Sequence, residues 1–113
     1  MMRTNPEAKP VEMLPGVVRR TIVHGDRTSL HELHLTQASE VPLHTHPHEQ
    51  TGYIASGRVV FQIGDEKREL KAGDAYSVPG DVVHGVVAVE DTVCIDVFSP
   101  VRTEYLEHEA GSG

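Results

Sequence analysis

Residues 43–57 read "LHTHPHEQTGYIASG". The first half crowds three histidines, a glutamate and a glutamine into positions 44–50. In an extended strand alternate side chains share a face, so His44, His46 and His48 have one parity. Pro47 interrupts that geometry, because it cannot donate to a strand ladder and bends the chain. His44 and His46 therefore sit together before the break, and Gln50 returns with the same parity at the start of the next run. Imidazole nitrogens and an amide oxygen suit divalent first-row metals such as Ni, Zn, Fe, Mn or Co. A further ligand has to come from elsewhere. His84 in "SVPGDVVHGV" (77–86) is the candidate, since it follows a proline-glycine turn and opens a valine-rich run.

Outward from this stretch the chain is a series of short β-branched runs separated by turn formers. They include "GVVRRTIVHGD" (16–26), "SLHELHL" (29–35), "TGYIAS" (51–56), "GRVVFQI" (57–63), "VVHGVVAV" (82–89) and "TVCIDVF" (92–98). Glycine-centred turns at 25, 64, 73 and 80 space the strands at intervals of about ten residues, the pattern of a sandwich or barrel. Only "RTEYLEHEA" (102–110) has helical periodicity, predicting a short C-terminal helix. Three prolines in residues 1–16 predict an extended N-terminal arm, leaving 17–113 as one all-β domain with a C-terminal tail. At 113 residues one domain is expected, and a chain this small gains from burying surface in a homodimer. A net charge of −7 without a basic run argues against nucleic acid and against an anionic membrane surface. One cysteine excludes an internal disulfide, and the polar, proline-broken start is neither a signal peptide nor a membrane span. A cytoplasmic protein is expected.

The two histidine segments resemble the paired motifs of the cupins. "HTHPHEQTGYIASG" is similar to the first motif, with His44, His46, Gln50 and Gly57 at its His-x-His, acid and glycine positions. "GDAYSVPGDVVH" is similar to the second, with Gly73, Pro79 and His84 in register. The chain departs from the pattern in three places: Gln50 fills the acid position with Glu49 one residue short, Asp81 stands where a glycine is usual, and Ala88 replaces an asparagine. The resemblance implies a single-domain cupin β-barrel (jelly roll) with one divalent transition metal on His44, His46, Gln50 and His84. A narrower likeness, carried by the glutamine and by "DVFSPVRTEYL" (96–106), is to the small cupins that convert 4,5-unsaturated monouronates of pectin and alginate into linear keto forms. It implies an isomerase of carbohydrate metabolism, acting on a small carboxylated sugar, with Asp96, Phe98 and Arg102 lining the pocket beside the metal.

The chemistry of those residues agrees with that role. Asp96 is a carboxylate inside an apolar strand, costly to bury unless it is paired or used. It is either a general acid or base or a structural partner of Arg102 or a turn. Cys94, Asp96 and Phe98 share parity and should face one cavity, where Phe98 packs against substrate or simply fills core. A guanidinium at Arg102 suits bidentate pairing with a substrate carboxylate. Three imidazoles and a neutral amide leave a metal more positive than a glutamate would, which favours Lewis-acid polarisation of a substrate oxygen. Other residues take plainer readings. His24, His31, His34 and His108 are assigned to strand or tail surface, with at most one of His31 and His34 inward; His48 and Glu49 to the pocket rim or solvent; Tyr53 and Tyr76 to packing with a tethered hydroxyl; Cys94 to apolar filling or, as the alternative, a cavity-lining thiol. Two other functions fit the same metal site: a binding or sensor module without turnover, and a dioxygenase using redox-active iron or copper.

Overall fold

The computed structural model describes residues 1–106. Ten strands follow one another: β1 (Pro10–Leu14), β2 (Val17–His24), β3 (Ser29–Leu35), β4 (Glu40–His44), β5 (Glu49–Ser56), β6 (Arg58–Ile63), β7 (Glu66–Lys71), β8 (Ala75–Val78), β9 (His84–Ala88) and β10 (Thr92–Ser99). All pairings are antiparallel. They build a six-stranded sheet in the order β1-β2-β3-β10-β5-β8 and a four-stranded sheet in the order β4-β9-β6-β7. The non-consecutive neighbours are those of a jelly roll: from β3 to β10 the chain crosses between the sheets at every step except that from β6 to β7.

Alternation in the sequence becomes burial directly. In β10, Thr92, Cys94, Asp96 and Phe98 are buried and the residues between them are half-exposed. Val17, Arg19 and Thr21 do the same in β2. The core between the sheets is aliphatic, with Leu35, Ile54, Val59, Val78 and Val86 at its centre. Phe61 of β6 stacks on Tyr76 of β8 across the two sheets, with ring centroids 4.2 Å apart.

The N-terminal segment is more structured than an extended arm. Asn5–Glu7 form one 3-10 turn, with Pro6 at its start where a missing N–H costs nothing. Pro10–Leu14 then add the edge strand β1 through pairs such as Pro10 with Arg20. An edge is the place in a sheet that tolerates proline. Of the helix expected over 102–110, residues 103–106 are helical and 107–110 lie outside the described residues, as does His108. No helix among the described residues is long and apolar enough to cross a membrane.

Candidate metal centre and substrate cavity

His44 ends β4 and stands opposite His84, the first residue of β9, in the four-stranded sheet. His46 lies in the loop that leads across to β5, and Gln50 is the second residue of β5 in the other sheet. The proline-glycine turn is packed under this loop. An added Cβ at Gly80 would sit 2.5 Å from the Pro47 carbonyl oxygen, so only glycine permits the approach. The next amide, Asp81 N–H, donates to the His46 carbonyl at 2.8 Å. Asp81 itself takes a left-handed φ of 67°. It does so at the position where the motif usually has glycine, and aspartate tolerates that region better than most residues.

These constraints bring the three imidazoles together. Ring centroids are 4.3 Å apart for His44 and His84, 4.7 Å for His46 and His84, and 5.5 Å for His44 and His46. One ligand nitrogen from each lies within 4.8 Å of the others. Each ring uses Nδ1 on a backbone carbonyl: His44 on Pro42 at 2.8 Å, His46 on His48 at 3.0 Å and His84 on Val82 at 2.9 Å. A carbonyl only accepts, so each Nδ1 carries the proton and each Nε2 presents a lone pair. Such a bond on the far nitrogen is the usual brace of a metal-binding histidine.

Two further observations fit a cation. His84 Nε2 is buried and has no hydrogen-bond partner among the described residues, a cost that a metal bond would remove. The Gln50 amide also hydrogen-bonds Asp96. A carboxylate accepts, so the amide NH2 faces Asp96 and Oε1 faces the histidines, 3.2 Å from His46 Nε2. Two lone-pair atoms that close call for a positive charge between them. Burial lowers the pKa of His84 to about 4, with His44, His46 and Arg102 adding to the effect. Burial, then Arg102, also lowers that of His46. Neutral imidazoles are the metal-binding form.

The three histidines and Gln50 line one wall of a cavity of about 430 Å³. Asp96, Phe98 and Arg102 line it too, so the structure brings every sequence-predicted site residue to one space. Asp96 is 4% exposed and accepts a short hydrogen bond from the Tyr76 hydroxyl. Burial raises its pKa to about 6, while the bonds from Tyr76 and Gln50 and the charge of Arg102 pull the other way. Gly52 makes the pair possible: a Cβ there would fall 2.2 Å from the Tyr76 ring and 2.4 Å from Asp96 Oδ1. Arg102 places its guanidinium 4.8 Å from the Phe98 ring centroid and 4.2 Å from that of Tyr105. Its Nε donates to Glu104.

Several expectations change. His31, assigned to the surface, is 1% exposed and lines the cavity, while His34 faces out. Tyr53 is 50% exposed and is not packed away. Tyr76 keeps its expectation of packing with a tethered hydroxyl, which is bound to Asp96. His48 is half-buried, its ring 5.6 Å from that of His46, and Glu49 is exposed. Arg19, Ser29, His31 and Tyr105 were missed as inward residues: Arg19, His31 and Tyr105 line the cavity, and Ser29 is buried against His31. Parity carried the signal for the first three, since Arg19 alternates with Val17 and Thr21, and Ser29 and His31 with Leu33 and Leu35.

Known proteins resemble the chain in sequence and in structure. The sequence pattern of the cupin domain matches residues 31–98. The pectin degradation protein KdgF of Dickeya dadantii (strain 3937) is 37% identical over 97 residues, spanning 84% of this chain and 88% of that protein. The structure of KdgF from Halomonas sp. superposes with a TM-score of 0.88 at 31% identity, covering 93% of this chain and 97% of that one. An RmlC-like cupin from Shewanella frigidimarina superposes with a TM-score of 0.88 at 24% identity, over 92% of this chain and 94% of the other. The last is a likeness of fold.

Proposed function

This chain belongs to the cupin domain family, and on that premise we propose that it is a metal-dependent isomerase that converts small 4,5-unsaturated uronates into their linear keto forms. The observation that carries the reading is one cavity holding three inward Nε2 lone pairs, the Gln50 oxygen, a buried carboxylate and a guanidinium. Its likeness to a pectin degradation protein supports it, because pectin is a polymer of uronates. In this proposal His44, His46, Gln50 and His84 hold one divalent transition metal. When bound, the metal supplies Lewis acidity at a substrate oxygen.

The remaining steps belong to the protein. With Nε engaged by Glu104, Arg102 keeps its two terminal nitrogens for the substrate carboxylate, the fork geometry that a carboxylate matches. Phe98 backs the guanidinium and closes that side of the cavity against water. The reaction is an isomerisation: a proton leaves the anomeric hydroxyl, the bond from carbon 1 to the ring oxygen breaks, and a proton arrives at carbon 4. No atom is gained or lost and no oxidant is needed. Asp96 moves the proton, and a carboxyl with a pKa of about 6 can both take and give one near neutrality. Tyr76 and Gln50 hold it in place. Two copies assembling through an exposed edge such as β1, in the cytoplasm, complete the proposal.

The test follows the ultraviolet absorbance of the conjugated double bond of an unsaturated uronate. Metal-loaded protein is expected to abolish it equally in air and under nitrogen, and metal-free protein to leave it unchanged. Persistent absorbance with folded, metal-loaded protein would leave only a binding module. Turnover that stops under nitrogen would identify a dioxygenase instead.

A further inference from the structure

Ser29 and His31 are each 1% exposed, on the inner face of β3 next to β10. Neither belongs to the histidine cluster that could hold a metal, and apolar residues would fill their space without a desolvation cost. Their hydrogen bonds lead to Arg102. This residue lies past the end of β10, outside the ladder, and its backbone N–H donates to Ser29 Oγ at 3.1 Å. Ser29 Oγ is 2.7 Å from His31 Nε2, and His31 Nδ1 is 3.0 Å from Thr21 Oγ1. Ser29 Oγ accepts from Arg102, and neutral His31 has a single N–H, so of the Ser29 and Thr21 hydroxyls one accepts from the ring and the other donates to it. Burial, aided by Arg19 and Arg102, keeps this imidazole neutral.

The His31 ring is also a second handle on the same group. It meets Phe98 edge-on at 5.3 Å and Tyr105 at 5.2 Å between centroids. Those are the two rings against which the Arg102 guanidinium lies. One buried unit thus fixes both the backbone of Arg102 and the platform under its charge.

We propose that Ser29 and His31 are positioning residues for Arg102, setting where its guanidinium meets the carboxylate of the substrate. The proposal rests on the reading of Arg102 as the carboxylate-binding group. It is tested by steady-state kinetics on an unsaturated uronate and on its methyl ester, in which the carboxylate is masked. Ser29→Ala should raise KM for the uronate about fivefold to tenfold, as loss of one directing hydrogen bond implies. kcat should stay within about twofold, and KM for the ester and the metal content should not change. His31→Phe keeps a ring between Phe98 and Tyr105 without its nitrogens, and should move the uronate-to-ester ratio in the same direction if Ser29→Ala folds poorly. Arg102→Lys is the control. If it raises the uronate-to-ester KM ratio while both other variants keep the wild-type value, the positioning role is wrong and the reading of Arg102 stands. If Arg102→Lys itself leaves the ratio unchanged, the reading fails and this inference with it.

Discussion

At Asp96 burial and hydrogen bonding pull in opposite directions, and burial wins. The carboxyl has a pKa of about 6 in the folded protein against an ordinary 3.8. The sign of the linkage follows: its contribution to stability is present below pH 3.8 and is lost as the pH rises through about 6. Holding an ionised carboxylate there is a cost in stability that serves proton transfer. Asp96→Asn removes the titration. Between those two limits the stability difference between metal-free wild type and variant should shift by about 3 kcal/mol in the variant's favour, measured by urea unfolding across pH. The same variant should lose about 100-fold to 10,000-fold in kcat at saturating metal. A variant that keeps wild-type kcat would make Asp96 structural. The neighbouring amide should respond as well, because an asparagine can present an N–H where the Gln50 NH2 now donates. Gln50 then turns its oxygen away from the histidines, and weaker metal affinity is expected, read by titration calorimetry.

Among the elements, the decisive junction is between the 79–82 turn and the loop after β4. The Gly80 contact with the Pro47 carbonyl involves backbone on the opposing side, which cannot swing away as a side chain would. Gly80→Ala must push the turn off the loop, stretching the bond from Asp81 N–H to His46 and separating His84 from His46. Metal affinity is expected to fall about tenfold or more and stability by about 1–3 kcal/mol, with strand content unchanged by circular dichroism. Unaltered affinity would show that the two segments are placed independently. The strands and the histidine spacing were legible in the sequence because period-two alternation and parity are local properties. β6, β9 and β10 follow directly from their apolar runs. The partners of the site residues were not legible, since Tyr76 and Asp96 are twenty residues apart and meet only through the pairing of β5 with both β8 and β10. Parity says which residues share a face, not whether that face holds a cavity. His31 is therefore assigned to the strand surface by its polarity, although its strand turns it inward beside Phe98 and Tyr105.

For the whole molecule, the ligand set spans both sheets. His44 and His84 belong to the four-stranded sheet, Gln50 to the six-stranded one, and His46 to the loop between them. A metal at this point ties the two layers together at one end of the barrel, while the aliphatic core holds the other. Unfolding separates the ligands, so binding to the folded state alone adds stability by mass action. With free metal at about 100 times its dissociation constant the gain is about 2.7 kcal/mol, or about 10 °C in Tm for a domain of this size. Chelation should therefore lower Tm by that amount, and re-addition of metal should restore it. His84→Ala should melt near the chelated wild type and show little response to metal, because the remaining donors no longer close around the ion. The buried imidazoles add a pH signature: burial lowers the pKa of His84 to about 4 and also lowers that of His46, so protons compete weakly for these two ligands at pH 6 and the metal-dependent part of Tm should persist there. It should disappear as the pH approaches 4. A Tm that ignores chelator at neutral pH would mean the two sheets are held by their core alone, and that the histidines do not bind a metal tightly enough to matter for folding.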